Sequence, residues 1–513
     1  MSDRERTLLA AWAVLAALLI GVHLGGYPLL DADEGRNGEV GREMASTNDY
    51  VMPRLDALPY LDKPIVYFAS EAGAMEVLGP TEFAARFPAW LYTVLTALLL
   101  AWFAARVGMD PAVSAIVFLS MPLAIAFART VIFDSALSLF ITLATIAFYL
   151  AVEEERKRWS VIAWAAIGFG VITKGPVAIA LPLLVALTYA IWRRRARAIW
   201  SAAGLGLFVL VVAPWVWAIS RAVPDFLHYV LVTETAERLT TGALKRTGPP
   251  WYFIPYLIGG AFPWVFALRW RTKEWIDRYL LLWLAVPFVF FSLSQSKRPQ
   301  YILPLMVPVA LLVARQLRLR AAAWALAVFG LLLAAATPFV RLRAEFAGPA
   351  RTAALVLGIA AVICGAAALV RPKIAIAALS LPALIIPAVT NPVMNAIAER
   401  RSTKALVSQL PRGEVIGIEA FTGSMAFYLQ RPVVVVSPDG DEFTSNYIMR
   451  HYARFVSDPA GTLRPVSWLG QALAPGRVIV VRDNDRVHRA LLEQHGARAI
   501  AEGAHFVAYT MPR

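Results

Sequence analysis

The sequence has a single cysteine, Cys364, so no disulfide forms within the chain and no cysteine-based metal site exists. Its six histidines (His23, His228, His451, His488, His495 and His505) are scattered, with no HExxH string and no tight ligand spacing. A P-loop, a GxSxG elbow and a dinucleotide fingerprint are also missing. Charge is scarce: 16% of residues are charged, against about 25% in soluble domains. Hydrophobic residues make up 59% of the 513, and the mean hydropathy is +0.60. Such a chain cannot cover itself with polar surface. Soluble enzymes, collagen-like chains and disordered tails are excluded, and an integral membrane protein is expected.

Acidic residues are outnumbered, 35 to 49, for a net charge of +14. The excess lies in short clusters between apolar runs, such as Arg193, Arg194, Arg195 and Arg197. That is the pattern of cytoplasmic loops, so the bilayer is the expected partner and nucleic acid is not.

A spanning helix needs about 20 apolar residues. About thirteen candidate spans are present, near 7–29, 85–107, 112–128, 132–152, 158–173, 175–191, 199–219, 251–268, 279–294, 301–316, 321–340, 352–370 and 374–391. The first is too long in its apolar run for a cleavable signal, so it is expected to be retained. Basic connections put the N-terminus in the cytoplasm. The first loop (30–84), the loop 220–250 and the tail are then extracytoplasmic. The tail, 392–513, has short β-branched runs (Val415–Ile418, Val433–Val436, Val478–Val481, Phe506–Tyr509) between helix-like stretches such as Asn446–Phe455 and Arg486–His495. This predicts a small α/β domain. The fold class is therefore an all-α polytopic membrane protein with a small C-terminal extracytoplasmic α/β domain. Its domains are expected to be 1–391, including both outer loops, and 392–513.

The outer loops hold the polar information. Asp31-Ala32-Asp33-Glu34-Gly35-Arg36 places three carboxylates in four residues at the membrane border, where desolvation is costly. Helix capping by Asp31 with Glu34 three residues on would explain two of them and open an interfacial helix through Met44. It does not explain Asp33. Further along, Leu58-Pro59-Tyr60-Leu61-Asp62-Lys63-Pro64 reads as a fixed loop on the membrane surface. Lys63 suits a phosphate as a point charge, or snorkels to headgroups. Asp134 lies near the outer end of a span just after Arg129, as an ion pair or as a second carboxylate of the site. Thr173-Lys174-Gly175-Pro176 breaks the chain between two spans. Glu234, Glu237 and Arg238 share a helical face by spacing. Lys297, Arg298 and Tyr301 sit between two later spans and suit an anionic headgroup. Carboxylates and cations thus gather on the outer face from at least five segments. Cations stabilise a phosphate leaving group, and a carboxylate orients or deprotonates an acceptor.

Asp33-Glu34-Gly35-Arg36, Glu39, Arg42-Glu43-Met44, Pro53-Arg54-Leu55, Leu58-Pro59-Tyr60, Lys63-Pro64, Thr173-Lys174-Gly175-Pro176 and Ser294–Pro304 resemble polyprenyl-phosphate-dependent membrane glycosyltransferases of the GT-C class. The resemblance is to the bacterial branch of the protein mannosyltransferase family, which includes the aminoarabinose transferases of lipid A, and covers about residues 1–310. It implies a GT-C fold in the inner membrane, a polyprenyl-phosphate sugar donor, a lipid A or other glycolipid acceptor, and inversion at the anomeric carbon. Asp33 matches the family's essential first-loop aspartate, with Glu34 beside it in the catalytic pair. Arg36, Tyr60 and Lys63 match residues around the donor and acceptor phosphates, and Lys297 and Tyr301 match residues near the donor phosphate. Asp31, Asp62, Asp134, Lys174, Glu234 and Arg238 are secondary positions. The family's tyrosine after the arginine is Asn37 here. The glutamate and histidine that can hold a metal in the aminoarabinose enzyme are Asp62 and Arg246, and no metal ligand is assigned. Protein O-mannosyltransfer and lipid-linked sugar transport are the competing readings. A transporter would show charges at mid-span depth and paired discontinuous helices.

Overall fold

The structure, a computed structural model, describes residues 2–230, 248–269 and 273–512. The chain forms two compact units, Met1–Leu24 with Pro88–Asn391 and Gly25–Phe87 with Pro392–Arg513. The second unit unites the first loop with the tail, whereas the sequence reading grouped that loop with the spans. The two are joined by polar contacts from first-loop side chains to the tail's backbone and hydroxyl groups.

Among the described residues, six helices are long and apolar enough to cross a membrane: Glu82–Arg106, Asp134–Glu154, Ala196–Ala222, Trp275–Leu293, Ala344–Val370 and Pro372–Arg401. Pro111–Leu119 and Pro122–Ala128, bent by 71° at Ser120-Met121, make a seventh if counted as one span. This is a multi-pass membrane protein. Others of the thirteen expected stretches form shorter or interrupted helices, among them Asp3–Leu19, Val177–Trp192 and Met306–Gln316. Proline is one cause. Pro299 and Pro304 lie in a 3-10 segment, Pro299–Leu305, that takes up the first turns of the expected span 301–316.

The first unit contains only helices among its described residues. Its closest helix pair, Arg320–Ala336 against Ala344–Val370, meets through small residues. A β-carbon at Gly358 would lie 2.9 Å from the Gly330 carbonyl oxygen, and one at Gly365 would lie 2.8 Å from that of Ala323. In lipid, where hydrophobicity does not separate helix from tail, this close backbone approach supplies the attraction. Cys364 is buried beside that seam.

In the second unit the tail carries a six-stranded sheet in the order β5-β4-β3-β6-β8-β7. The strands are β3 (Val415–Ile418), β4 (Val434–Val436), β5 (Leu463–Arg464), β6 (Val478–Arg482), β7 (Arg498–Gly503) and β8 (Phe506–Thr510). The first four run parallel, and β8 is antiparallel to β6 and β7. Parallel strands need crossovers with helices on the faces, which is why β3 and most of β6 are buried apolar runs. Ahead of the tail, the first loop supplies the helix Asp33–Thr47, the hairpin β1 (Arg54–Leu55) and β2 (Leu58–Pro59), and the helix Val66–Leu78. The two hairpin-turn residues, Asp56 and Ala57, have φ of 56° and 65°, as a two-residue primed turn requires.

Candidate functional site

The helix Asp33–Thr47 is unusual in burying polar residues, among them Glu34, Asn37, Glu39, Arg42 and Glu43. It packs at short range because two glycines have no β-carbon. One at Gly35 would lie 2.5 Å from the Ser424 amide nitrogen, and one at Gly41 would lie 2.7 Å from the Glu71 β-carbon. The helix N-terminus favours the negative charges of its first turn.

Asp31, Asp33 and Glu34 separate into three environments. Asp31 does not cap the helix that follows, whose N-cap is Ala32 with no side-chain hydrogen bond. It instead accepts from the Ser424 amide at 3.1 Å and from the Ser424 hydroxyl, at the start of the helix Gly423–Leu429. Burial pushes its carboxyl up to about 6, against the lowering effect of these donors. Glu34, expected beside Asp33 in the chemistry, is committed elsewhere. Its two oxygens accept from Arg86 Nε and Nη2 at 2.9 and 2.7 Å, and one also accepts from the Leu30 amide at 3.1 Å. Arg86 is fully buried and also donates to the Tyr27 and Pro28 carbonyls at 2.8 and 3.0 Å. The Asp33 side chain is 40% exposed, against 6% for Glu34.

Asp33 Oδ1 accepts from Arg36 Nη2 at 2.6 Å. Arg36 Nη1 donates to the Thr444 hydroxyl and carbonyl at 2.7 and 3.2 Å. Its buried Nε makes no hydrogen bond among the described residues. The guanidinium carbon lies 5.9 Å from the centre of the buried Tyr60 ring, which rests edge-on against Phe68. Asp62 is buried and accepts from the amides of Asn446 and Tyr447 at 3.0 and 3.1 Å. It thereby ties the first loop to the tail. Lys63 is half-buried and its ammonium donates to the Asp62 carbonyl.

Beneath this surface lie four more carboxyls, Glu39, Glu43, Asp56 and Glu71, each 5% exposed or less. Glu39 pairs with Arg42 through two bonds of 2.7 Å. Glu43 accepts from the Ala57 amide and Asp56 from the Val433 amide, both at 2.7 Å. Neither Glu71 oxygen is hydrogen-bonded among the described residues. Burial raises all four, Glu39 to about 8 despite Arg42. In the folded unit Glu39 thus holds a proton that the unfolded chain releases above about 4.5. Its contribution to stability is full below that pH and is lost as pH rises through about 8. Thermal unfolding of the purified protein is expected to have a lower midpoint at about pH 8 than at about pH 5, with Glu39→Gln flattening the decline. A midpoint that climbs over this interval would contradict the assignment.

The first unit gathers a separate group. Asp134 opens the helix Asp134–Glu154 and, 2% exposed, pairs with Lys174 at the end of the helix Lys157–Lys174. Its partner is thus Lys174 and not Arg129, which donates to the Ile20, Val22 and His23 carbonyls at 2.8, 2.7 and 3.0 Å. The Lys174 ammonium lies 4.7 Å from the centre of the Tyr301 ring. Gly175, with φ of 112°, makes the expected break. Lys297 is buried and donates to the Ser294 carbonyl at 2.5 Å. Glu234, Arg238 and Arg246 lie outside the described residues. No group of three or more His, Cys, Asp or Glu among the described residues is arranged to hold a metal ion. With Asp62 taken by two amides, the residues present do not fit the family's metal pair, and no step below uses one.

Sequence reasoning missed Arg86, Ser424 and Thr444. Arg86 left one trace, a charge in the first turn of an apolar span. Ser424 and Thr444 left none, because their partners lie about 400 residues away along the chain.

The chain superimposes on the crystal structure of ArnT from Cupriavidus metallidurans bound to undecaprenyl phosphate with a TM-score of 0.87, over 99% of both chains at 24% identity. The fold is that of the GT-C membrane glycosyltransferases. Residues 62–217 also match the profile of the family described as dolichyl-phosphate-mannose-protein mannosyltransferase. Two curated relatives carry the name undecaprenyl phosphate-alpha-4-amino-4-deoxy-L-arabinose arabinosyl transferase. That of Aeromonas salmonicida is 30% identical over 50% of this chain and 49% of its own. One from Sodalis glossinidius is 34% identical over 50% of this chain and 47% of its own. The chain thus spans about half the length of the curated relatives it matches. Within this GT-C fold, Asp33, Arg36, Tyr60 and Lys63 belong to the loop-and-tail unit, and Asp134, Lys174, Lys297 and Tyr301 to the helical unit.

Proposed function

We propose that this GT-C protein transfers a sugar, with inversion, from a polyprenyl-phosphate donor to a lipid A or other glycolipid acceptor at the extracytoplasmic face of the inner membrane. The observation that carries the reading is the separation of the first-loop acids. Asp31 and Glu34 are held by Ser424 and Arg86 in buried contacts, whereas Asp33 is 40% exposed in its pair with the Arg36 guanidinium. That is an acid-and-cation pair of the kind a displacement on a phosphate-linked sugar needs. The relatives' names support a 4-amino-4-deoxy-L-arabinosyl group, a pentose, as the sugar.

In the proposed step the acceptor oxygen attacks the anomeric carbon. The bond from that carbon to the phosphate oxygen breaks, and the polyprenyl phosphate leaves with the bonding pair. Arg36 and Lys63 offset its charge. If the acceptor is a hydroxyl, its proton passes to Asp33. If it is a lipid A phosphate, already ionised, Asp33 orients it or stabilises positive charge developing on the sugar.

The test is to incubate purified protein in lipid with radiolabelled polyprenyl-phosphate sugars and a total envelope extract. Label in a glycolipid is expected. Label in protein would move the acceptor to a polypeptide, the reading favoured by the name of the family matched over 62–217. Lipid bound but no transfer from any donor would overturn the reading.

A further inference from the structure

The four tail residues Thr444–Tyr447 touch both halves of the first-loop group. Thr444 holds Arg36 Nη1 through its hydroxyl and carbonyl, at 2.7 and 3.2 Å. Two and three residues on, the Asn446 and Tyr447 amides hold both Asp62 oxygens, at 3.0 and 3.1 Å. The segment is itself fixed on either side by buried aromatics. Phe443, 1% exposed, stacks on Phe421 with ring centres 4.5 Å apart. Tyr447, fully buried, packs on His451 and Phe455. Thr444 stands at φ 51°, a left-handed conformation that turns the chain between these anchors.

Arginine is a long side chain with much rotamer freedom, and its planar fork binds well only when oriented. Arg36 presents Nη2 to Asp33 because Nη1 is already committed to Thr444. Asp62 immediately precedes Lys63, so the two amides that hold Asp62 also set where the next residue begins. We propose that Thr444–Tyr447 is a positioning element. Thr444 orients Arg36 against Asp33, and the two amides fix the loop from which Lys63 projects. The tail is then part of the transfer machinery while contributing no reacting atom. The inference rests on the transferase reading and deepens it.

The experiment compares Thr444→Val, Thr444→Ser and Arg36→Ala/Thr444→Val with wild type and Arg36→Ala, in lipid, with the labelled donor. Thr444→Val keeps the shape and the carbonyl but removes the hydroxyl acceptor. A hydrogen bond to a charged group is worth enough that kcat is expected to fall roughly tenfold. KM for the donor should change less than about twofold, because the phosphate contacts themselves remain. Thr444→Ser is expected to restore kcat, and the double variant to be no slower than Arg36→Ala alone. Thr444→Val turning over like wild type would overturn the proposal. So would an added loss on top of Arg36→Ala. If neither Thr444→Val nor Thr444→Ala yields folded protein, the segment is a structural support and the positioning role falls. An inactive wild type would instead sink the transferase reading.

Discussion

Asp33→Asn is expected to lower transfer from the polyprenyl-phosphate donor by about 10²–10⁴-fold, the range for losing a positioned acid or base. The substitution keeps the shape of the side chain and removes its charge. Its structural cost should be small, since the Asp33–Arg36 pair is partly exposed, at 40% and 15%, and exposed pairs are worth about 1 kcal/mol or less. Donor binding should survive, because the cations remain. The informative comparison is therefore kcat against KM, with a folded control. If Asp33 is the general base, kcat in wild type falls at acidic pH and the variant shows no such limb. If Asp33 orients an ionised acceptor, both profiles are flat and the variant is uniformly slow. Full turnover by folded Asp33→Asn protein would remove Asp33 from the chemistry altogether.

The largest expected loss of stability is at Arg86. It is fully buried, with its charge matched by Glu34, itself 5% exposed, and by two main-chain carbonyls. Its guanidinium also lies 3.8 Å from the centre of the Tyr27 ring. Removing one partner of such a pair leaves the other charge buried and unmatched, at a cost of about 3–5 kcal/mol. Arg86→Met is therefore expected to lower the thermal midpoint of the detergent-solubilised protein by roughly 10 °C. Adding Glu34→Gln should restore part of the loss, because the remaining group is then neutral. Glu34→Gln alone should reduce stability more than it reduces kcat per folded molecule. An Arg86→Met protein as stable as wild type would show that the pair contributes nothing, and Glu34 would return as a candidate for the chemistry.

Much of the fold could be read along the chain. The hydropathy runs identified a polytopic membrane protein, and the β-branched runs of the tail found β3, β4, β6 and β8 within a residue or so of their ends. The short strand β5 and the polar strand β7 escaped notice. Leu463–Arg464 is only two residues long, and Arg498–Gly503 has no alternation of buried and exposed positions to mark it. Helix interruptions were also hard to see. The bend of 71° at Ser120-Met121 falls inside the single expected span 112–128, and hydropathy does not register direction.

Composition and local motif were enough to establish a membrane chain, a tail of alternating strands and helices, and a first loop rich in acids and cations. They did so because apolar run length, β-branched clustering and local charge are properties of neighbouring residues. What each acid is for could not be decided that way. Asp31, Asp33 and Glu34 are chemically alike and adjacent. Their partners lie 393 residues away at Ser424, three residues away at Arg36 and 52 residues away at Arg86. Asp62 is likewise spent on amides 384 and 385 residues further on. Those contacts join residues far apart along the chain, so only the tertiary structure brings distant donors to Asp31, Glu34 and Asp62 and leaves Asp33 40% exposed in its pair with Arg36.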